Sequence, residues 1–80
     1  MNIYELTHRA PCPNGGLMDA YEIKIESEAT IMVEDIAKAM TEAPSPTFQE
    51  ALADWLRNRL GAQITITGTH YGIKITCLRY

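Results

Sequence analysis

The stretch "AYEIKIES", residues 20–27, alternates between apolar and charged side chains. The two faces of this alternation are Tyr21, Ile23 and Ile25 on one side and Glu22, Lys24 and Glu26 on the other. A strict period of two is typical of a β-strand that buries one face and leaves the other in water. We therefore predict a strand here, and with it a sheet that is covered on one side.

The period changes from two to that of a helix in "TIMVEDIAKAM", residues 30–40. Apolar side chains at the spacing i, i+3, i+4 and i+7 define one helical face. We expect this face to be buried, and its members are Val33, Ile36, Ala37 and Met40. Pro44 and Pro46 end the helix, because proline lacks the N–H group that a helix interior needs.

A second helix is predicted in "TFQEALADWLRNRLG", residues 47–61. Thr47 and Glu50 have the spacing of a capping box, in which side chains satisfy the first free N–H groups of a helix. Gly61 is typical of a residue that stops a helix. The expected buried stripe is interpreted as core rather than as a cofactor site, and consists of Phe48, Leu52, Trp55, Leu56 and Leu60.

Three further strands complete the pattern. The segment "IYELTH" predicts a strand from Ile3 to His8. The segments "AQITITG" (residues 62–68) and "GIKITCLRY" (residues 72–80) predict two more, joined as a hairpin by a short loop from Gly68 to Gly72. Their inward positions are Ile64, Ile66, Ile73, Ile75 and Cys77. The order ββααββ predicts an α+β fold, in which a four-stranded antiparallel sheet carries two helices on one face.

The composition bounds the class of protein. A chain of 80 residues predicts a single domain, residues 1–80, with a small core. The net charge is −3 and the basic residues are scattered, so nucleic-acid binding is not expected, since it needs clustered Lys and Arg. The sequence has no apolar run of about 18 residues, so no membrane-spanning helix is predicted. Two cysteines are too few for a disulfide framework, and the N-terminus does not resemble a signal peptide, so we expect a cytoplasmic location.

The second face of the predicted sheet is polar. Its side chains are Glu22, Lys24, Glu26, Thr65, Thr67, Lys74 and Thr76. Such a face is either solvated or lines the inside of a small barrel built from several subunits. The open edges of the sheet invite pairing between chains, and a core of this size gains stability from association. We therefore expect a homo-oligomer.

The connection between the first two strands contains "PCPNGGLMD", residues 11–19. One interpretation is a proline-glycine loop with an incidental cysteine. The other is a resemblance to the Cys-Pro-x-x-Gly-x-x-Asp motif of the nitrile reductase QueF, matched at Cys12, Pro13, Gly16 and Asp19. QueF belongs to the tunnelling-fold (T-fold) superfamily, which the order ββααββ also resembles. The resemblance implies that Cys12 attacks the nitrile carbon of 7-cyano-7-deazaguanine to form a thioimide, that Asp19 shuttles protons, and that Gly16 forms the turn.

Two further segments resemble the same superfamily. T-fold enzymes hold the edge of a purine or pterin with a helical glutamate, because one carboxylate accepts two parallel N–H donors. This likeness implies that Glu50 and the adjacent Gln49 bind ligand, while helix capping is the alternative explanation of Glu50. The segment "GTHYGIKIT", residues 68–76, resembles part of GTP cyclohydrolase and implies a catalytic His70. The alternative is an exposed turn histidine.

The cofactor patterns of these relatives are not matched. The zinc-binding cysteine of GTP cyclohydrolase is replaced by Gly72. No metal is expected, because no zinc pattern fits the spacings of Cys12, Cys77, His8 and His70. The NADPH segment of QueF has no counterpart in "VEDIAKAM", residues 33–40, where Glu34 and Lys38 have other spacings and no aromatic residue follows.

Two classes of function stay open. The first is a small T-fold protein that binds a purine-like or pterin-like ligand as a minimal QueF-like enzyme. Such an enzyme is either a nitrile reductase or an amidine-forming relative that adds ammonia to the thioimide and needs no NADPH. The second class is a non-catalytic binding or interaction protein that keeps the T-fold without the chemistry.

Overall fold

The computed structural model describes residues 1–15 and 17–80, and within these ranges it has four strands and two helices. In chain order they are β1 (Asn2–Pro11), β2 (Met18–Ser27), α1 (Val33–Glu42), α2 (Gln49–Leu60), β3 (Gln63–His70) and β4 (Ile73–Arg79). The predicted order ββααββ is confirmed. Gly16, predicted to form a turn, lies outside the described residues. No helix in the described ranges is long and apolar enough to cross a membrane.

The strands form an antiparallel sheet in the order β1-β2-β3-β4. The register places Ile23 opposite Ile66 and Ile25 opposite Ile64. Because side chains alternate between the faces of a strand, this register gathers the apolar positions of the two central strands on one face. The predicted four-stranded antiparallel sheet is therefore confirmed.

Both hairpin connections are shorter than predicted. The pairing of β1 with β2 continues to Pro11 opposite Met18, beyond the predicted end of β1. Gly68, predicted to begin the second loop, lies inside β3. The turn between β3 and β4 has only two residues, Tyr71 and Gly72, with φ of 52° and 77°. Positive φ at both positions is what a type I′ hairpin turn requires.

The helices cover the apolar face of the sheet. The sheet contributes the buried side chains Tyr21, Ile23, Ile25, Ile64, Ile66 and Cys77, and the helices contribute Ile36, Leu52, Ala53 and Leu56. Each fully buried large aliphatic side chain adds about 1.5–3 kcal/mol to the stability. On the opposite face the predicted polar side chains are half-buried or exposed. The core therefore lies on one side of the sheet only.

The buried stripe of α1 differs from the prediction. Val33 is 61% exposed and Ala37 is also exposed, so the prediction that both are buried is wrong. Between residues 33 and 43 the buried or half-buried side chains are Ile36, Ala39, Met40 and Ala43. They keep the spacing i, i+3, i+4 and i+7 but begin one turn later. The sequence fits both stripes, since small apolar residues occur in each.

The predicted capping box at the start of α2 is wrong. The N-cap residue is Phe48, and no side chain caps the helix. The Thr47 hydroxyl lies one position too early and donates to the carbonyl oxygen of Phe48 at 3.1 Å. Glu50 is therefore left in the first turn without a capping role. The other end follows the prediction, because Gly61 has a φ of 63° and donates its N–H to the carbonyl oxygen of Arg57.

Two apolar residues predicted to be buried lie at the surface. Phe48 is 48% exposed, and Ile73 is also exposed. Phe48 immediately precedes α2, and Ile73 is the first residue of β4. In both cases the apolar pattern continues beyond the packed part of the element. The centre of the α2 stripe is confirmed by the buried Leu52 and Leu56, while Trp55 and Leu60 pack half-buried against the core.

Candidate functional site

A pocket of about 510 Å³ opens where the β1–β2 connection, the start of α2 and the β3–β4 hairpin meet. It is lined by all five residues that the sequence singled out as site candidates: Cys12, Asp19, Gln49, Glu50 and His70. They come from three separate segments of the chain. The fold therefore brings the candidates together, while their roles stay predictions.

The β1–β2 ladder positions Cys12 and Asp19. Ala10 pairs with Asp19 and Pro11 with Met18 at the end of the ladder, and the N–H of Cys12 then donates to the carbonyl oxygen of Leu17 at 2.8 Å. These pairings hold the two flanks of the connection side by side. Cys12 is a free, half-buried thiol, and the Asp19 side chain is 15% exposed. A thiol and a carboxyl group thus line one pocket from the two flanks.

Asp19 has two polar neighbours inside the pocket. The Tyr21 hydroxyl donates to Oδ2 of Asp19 at 3.2 Å. The Nδ1 atom of His70 lies 3.6 Å from the same oxygen, which is an ion-pair distance when His70 is protonated. Burial raises the pKa of Tyr21, and the charge and hydrogen bond of Asp19 raise it further. Tyr21 therefore keeps its proton and remains a hydrogen-bond donor at neutral pH.

Tyr21 is a pocket residue that the sequence pattern assigns only to the core. Its ring is buried, as the alternation predicts, but its hydroxyl reaches Asp19. The available signal is the residue type, because a buried tyrosine needs a partner for its hydroxyl. The alternation gives no indication of which partner that is.

Gln49 lies beneath the pocket and is only 1% exposed. Its Nε2 atom donates to the carbonyl oxygens of Ile66 at 2.8 Å and Ile75 at 2.9 Å. Its Oε1 atom lies 3.2 Å from Nε2 of His70. Both amide hydrogens are therefore used by the protein, and the amide oxygen has His70 as its neighbour. The ligand-binding role of Gln49 stays a prediction.

Gly68 in β3 leaves room for the side chains of Tyr21 and Gln49. A Cβ atom at this position would lie 2.8 Å from Cδ1 of Tyr21 and 2.9 Å from Oε1 of Gln49. Carbon atoms pack at about 3.5–4.0 Å. Any side chain at this position would displace Tyr21 or Gln49, so the arrangement of the site requires glycine here.

Glu50 is exposed in the first turn of α2 and lines the pocket. The helix dipole favours a carboxylate at this end. Its oxygens take part in none of the hydrogen bonds or ion pairs found in ranges 1–15 and 17–80. They can thus accept two N–H donors from a ligand edge.

The rim of the pocket is apolar, and its large exposed side chains are Leu17, Met18, Phe48 and Tyr71. Among the described lining residues there is no Lys or Arg. His8 lies outside the lining, and burial lowers its pKa. Among the described residues there is no group of three or more His, Cys, Asp or Glu side chains that could hold a metal ion. The pocket therefore combines an apolar rim with acidic and hydrogen-bonding groups inside.

No family model matches the chain, and no curated protein matches it by sequence. Its structure is similar to the crystal structure of the archaeosine synthase QueF-Like in the apo form, with a TM-score of 0.80. The superposition covers 98% of this chain and 89% of that chain at 16% sequence identity. A likeness at this identity carries the fold. The predicted resemblance is confirmed at that level: the chain has the T-fold of QueF-like proteins.

Proposed function

We propose that this chain binds a purine-like or pterin-like base in the pocket and that Cys12 forms a thioimide with the nitrile group of a deazapurine. One observation carries the proposal. Cys12, Asp19, His70 and Glu50 line a single pocket in a chain with the fold of an archaeosine synthase. A nucleophile, a proton carrier and a ligand anchor are the groups that such chemistry needs.

Binding of a flat base follows from the lining. The Glu50 carboxylate accepts the two parallel N–H donors of a guanine-like edge. Phe48 and Tyr71 offer exposed aromatic surface against which a ring can pack. A volume of about 510 Å³ falls in the ordinary range of small-molecule pockets.

Thioimide formation adds the Cys12 thiol across the nitrile bond. The thiol proton passes to Asp19, the sulfur forms a bond to the nitrile carbon, and one carbon–nitrogen π bond breaks. The nitrile nitrogen then takes up the proton that Asp19 carries. The product is a thioimide, C(=NH)–S, and no proton or electron is gained or lost overall.

For the step that follows the thioimide, the sequence favours addition of ammonia over transfer of a hydride. Ammonia adds to the thioimide carbon, the carbon–sulfur bond breaks, and the products are an amidine and the free Cys12 thiol. This route needs no NADPH, and the α1 segment with Glu34 and Lys38 does not match the NADPH segment of nitrile reductases. The amidine-forming route is therefore the one we propose, and reduction with NADPH is the less supported variant.

A second candidate is a binding protein without the chemistry. It is favoured by the lining, since the described lining residues include no Lys or Arg that could stabilise a Cys12 thiolate. Such a protein would bind the same base through Glu50 and leave the nitrile intact.

Intact-mass measurement after incubation with 7-cyano-7-deazaguanine separates the two candidates. We expect a covalent adduct on the unmodified chain, its loss in Cys12→Ala, and its retention in the matched control Cys77→Ala. Binding in a calorimetric titration without any adduct would support the second candidate. If the protein neither binds 7-cyano-7-deazaguanine nor forms an adduct with it, both candidate functions are overturned.

We also propose that the chain forms a homo-oligomer through its sheet edges. β1 and β4 are the outer strands, so each presents backbone N–H and C=O groups to a further strand. Light scattering coupled to size exclusion measures the molar mass, and a monomer at micromolar concentration would contradict this proposal.

A further inference from the structure

The orientation of the Gln49 amide is fixed by two backbone carbonyls. Its Nε2 atom lies 2.8 Å from the oxygen of Ile66 and 2.9 Å from the oxygen of Ile75. Carbonyl oxygens only accept hydrogen bonds, so the amide nitrogen must face them. A flipped amide would set its oxygen against both carbonyls, inside the protein. The Oε1 atom therefore points to His70.

This fixed oxygen decides where His70 carries a hydrogen. Nε2 of His70 lies 3.2 Å from Oε1 of Gln49. Since the amide oxygen can only accept, the hydrogen of this bond must be on Nε2. We propose that Gln49 is a positioning residue, which holds His70 with its hydrogen on Nε2 and its Nδ1 directed at Asp19.

The second ring nitrogen of His70 also meets an acceptor. Nδ1 lies 3.6 Å from Oδ2 of Asp19, and a neutral imidazole has only one N–H group. With that hydrogen on Nε2, a bare Nδ1 would face an ionised carboxylate. One additional proton removes this conflict, whether it is on Nδ1 or on the carboxyl group. We infer that Asp19 and His70 share one proton in addition to the hydrogen on Nε2.

The other groups around this pair do not supply that proton. Tyr21 donates to the same Asp19 oxygen and retains its own hydrogen. Glu50 of α2 and Cys12 of the β1–β2 connection face the same pocket and contribute negative charge when ionised.

The use of the stored proton rests on the proposed function. When the Cys12 sulfur bonds to a nitrile carbon, the nitrile nitrogen takes up one proton, and the Asp19–His70 pair lines the same pocket. The buried amide nitrogen of Gln49 is held by the sheet, so this residue acts through His70 rather than on the ligand. The pair therefore gives its proton to the nitrile nitrogen and takes up the Cys12 thiol proton in exchange, and Gln49 sets the geometry of the pair.

The tautomer of His70 tests the positioning role of Gln49 without any ligand. In a long-range ¹H–¹⁵N spectrum of the full chain, recorded at alkaline pH where imidazoles are neutral, we expect the His70 hydrogen on Nε2. His8, in β1, provides the internal reference signal. A His70 hydrogen on Nδ1 in the unmodified chain would overturn the positioning role directly, with no variant needed.

Two substitutions separate positioning from a merely structural role. Both Gln49→Met and Gln49→Glu remove the donations to Ile66 and Ile75, but only Gln49→Glu keeps an acceptor for His70. We expect Gln49→Met to move the hydrogen to Nδ1 and Gln49→Glu to keep it on Nε2. The same tautomer in both folded variants would overturn the positioning role.

Adduct formation with 7-cyano-7-deazaguanine then connects the tautomer to the chemistry. We expect the rate to fall up to about tenfold in Gln49→Met, the equivalent of one neutral hydrogen bond, and to fall less in Gln49→Glu. Equal rates in the unmodified chain and Gln49→Met would overturn the use of the stored proton. Absence of any adduct in the unmodified chain would reject the proposed function while leaving the tautomer result intact.

Discussion

The two cysteines lie in regions of opposite character. Cys12 is half-buried in the β1–β2 connection and lines the pocket together with Asp19. Cys77 lies in β4 opposite Ile66, is 5% exposed, and has its pKa raised by burial. A ligand can reach the first thiol, whereas the second behaves as a small apolar side chain of the core. The thiol at the end of the sheet is therefore accessible to a ligand, whereas the thiol in the core of the sheet is packed and inaccessible.

Thiol alkylation should show the largest difference between these regions. We expect iodoacetamide at pH 8 to modify Cys12 about a thousandfold faster than Cys77 or more. Cys77 reacts only when the core opens, and opening costs about 5 kcal/mol or more. Peptide mapping over time gives both rates, with Cys12→Ala and Cys77→Ala identifying each phase. Similar rates would show that the core around β4 is not closed.

Two side chains of the α2 stripe, one from its buried centre and one from its exposed end, extend the comparison to stability. Leu56→Ala should lower the free energy of unfolding by about 2–5 kcal/mol, because it leaves a cavity in the core. Phe48→Ala should lower it by less than about 1 kcal/mol, since that ring is half exposed at the pocket rim. Urea unfolding followed by circular dichroism measures both values. Equal losses would mean that Phe48 is a core residue after all.

The strands were predictable because one-sided burial imposes a period of two. The alternation of Tyr21, Ile23 and Ile25 identifies the covered face of β2 directly, and all three are buried. Ends of elements were less predictable. Val33 and Phe48 continue the apolar pattern of their helices beyond the turns that pack against the core. The order of residue types does not show where that packing ends.

The candidate site divides in the same way. Motif resemblance singled out Cys12, Asp19 and His70, and the fold brings them to one pocket. The contacts of Gln49 were not predictable, because its amide bonds to carbonyls 17 and 26 positions away in the chain. Backbone carbonyls carry no signature in the sequence, so contacts of this kind are known only once the sheet register is known.

Tyr21 joins the two regions, since its ring belongs to the core and its hydroxyl to the pocket. Tyr21→Phe keeps the ring and removes the hydrogen bond to Asp19. We expect a loss of about 1 kcal/mol in the free energy of unfolding at pH 7, which is smaller than the loss expected for Leu56→Ala. Urea unfolding of the two proteins in parallel measures this difference.

The same pair of proteins should converge at alkaline pH. The pKa of Tyr21 is raised in the folded state above its ordinary value of 10.0, so the protonated phenol favours folding. That contribution is fully present below pH 10 and is lost as the pH rises above it. Cys77, whose pKa is also raised by burial, causes a loss that begins near its ordinary value of 9.0, but this loss is common to both proteins and cancels in their difference. The advantage of the unmodified chain over Tyr21→Phe should therefore shrink above about pH 10. A difference that stays constant from pH 7 to pH 11 would mean that the hydroxyl is solvated rather than held against Asp19.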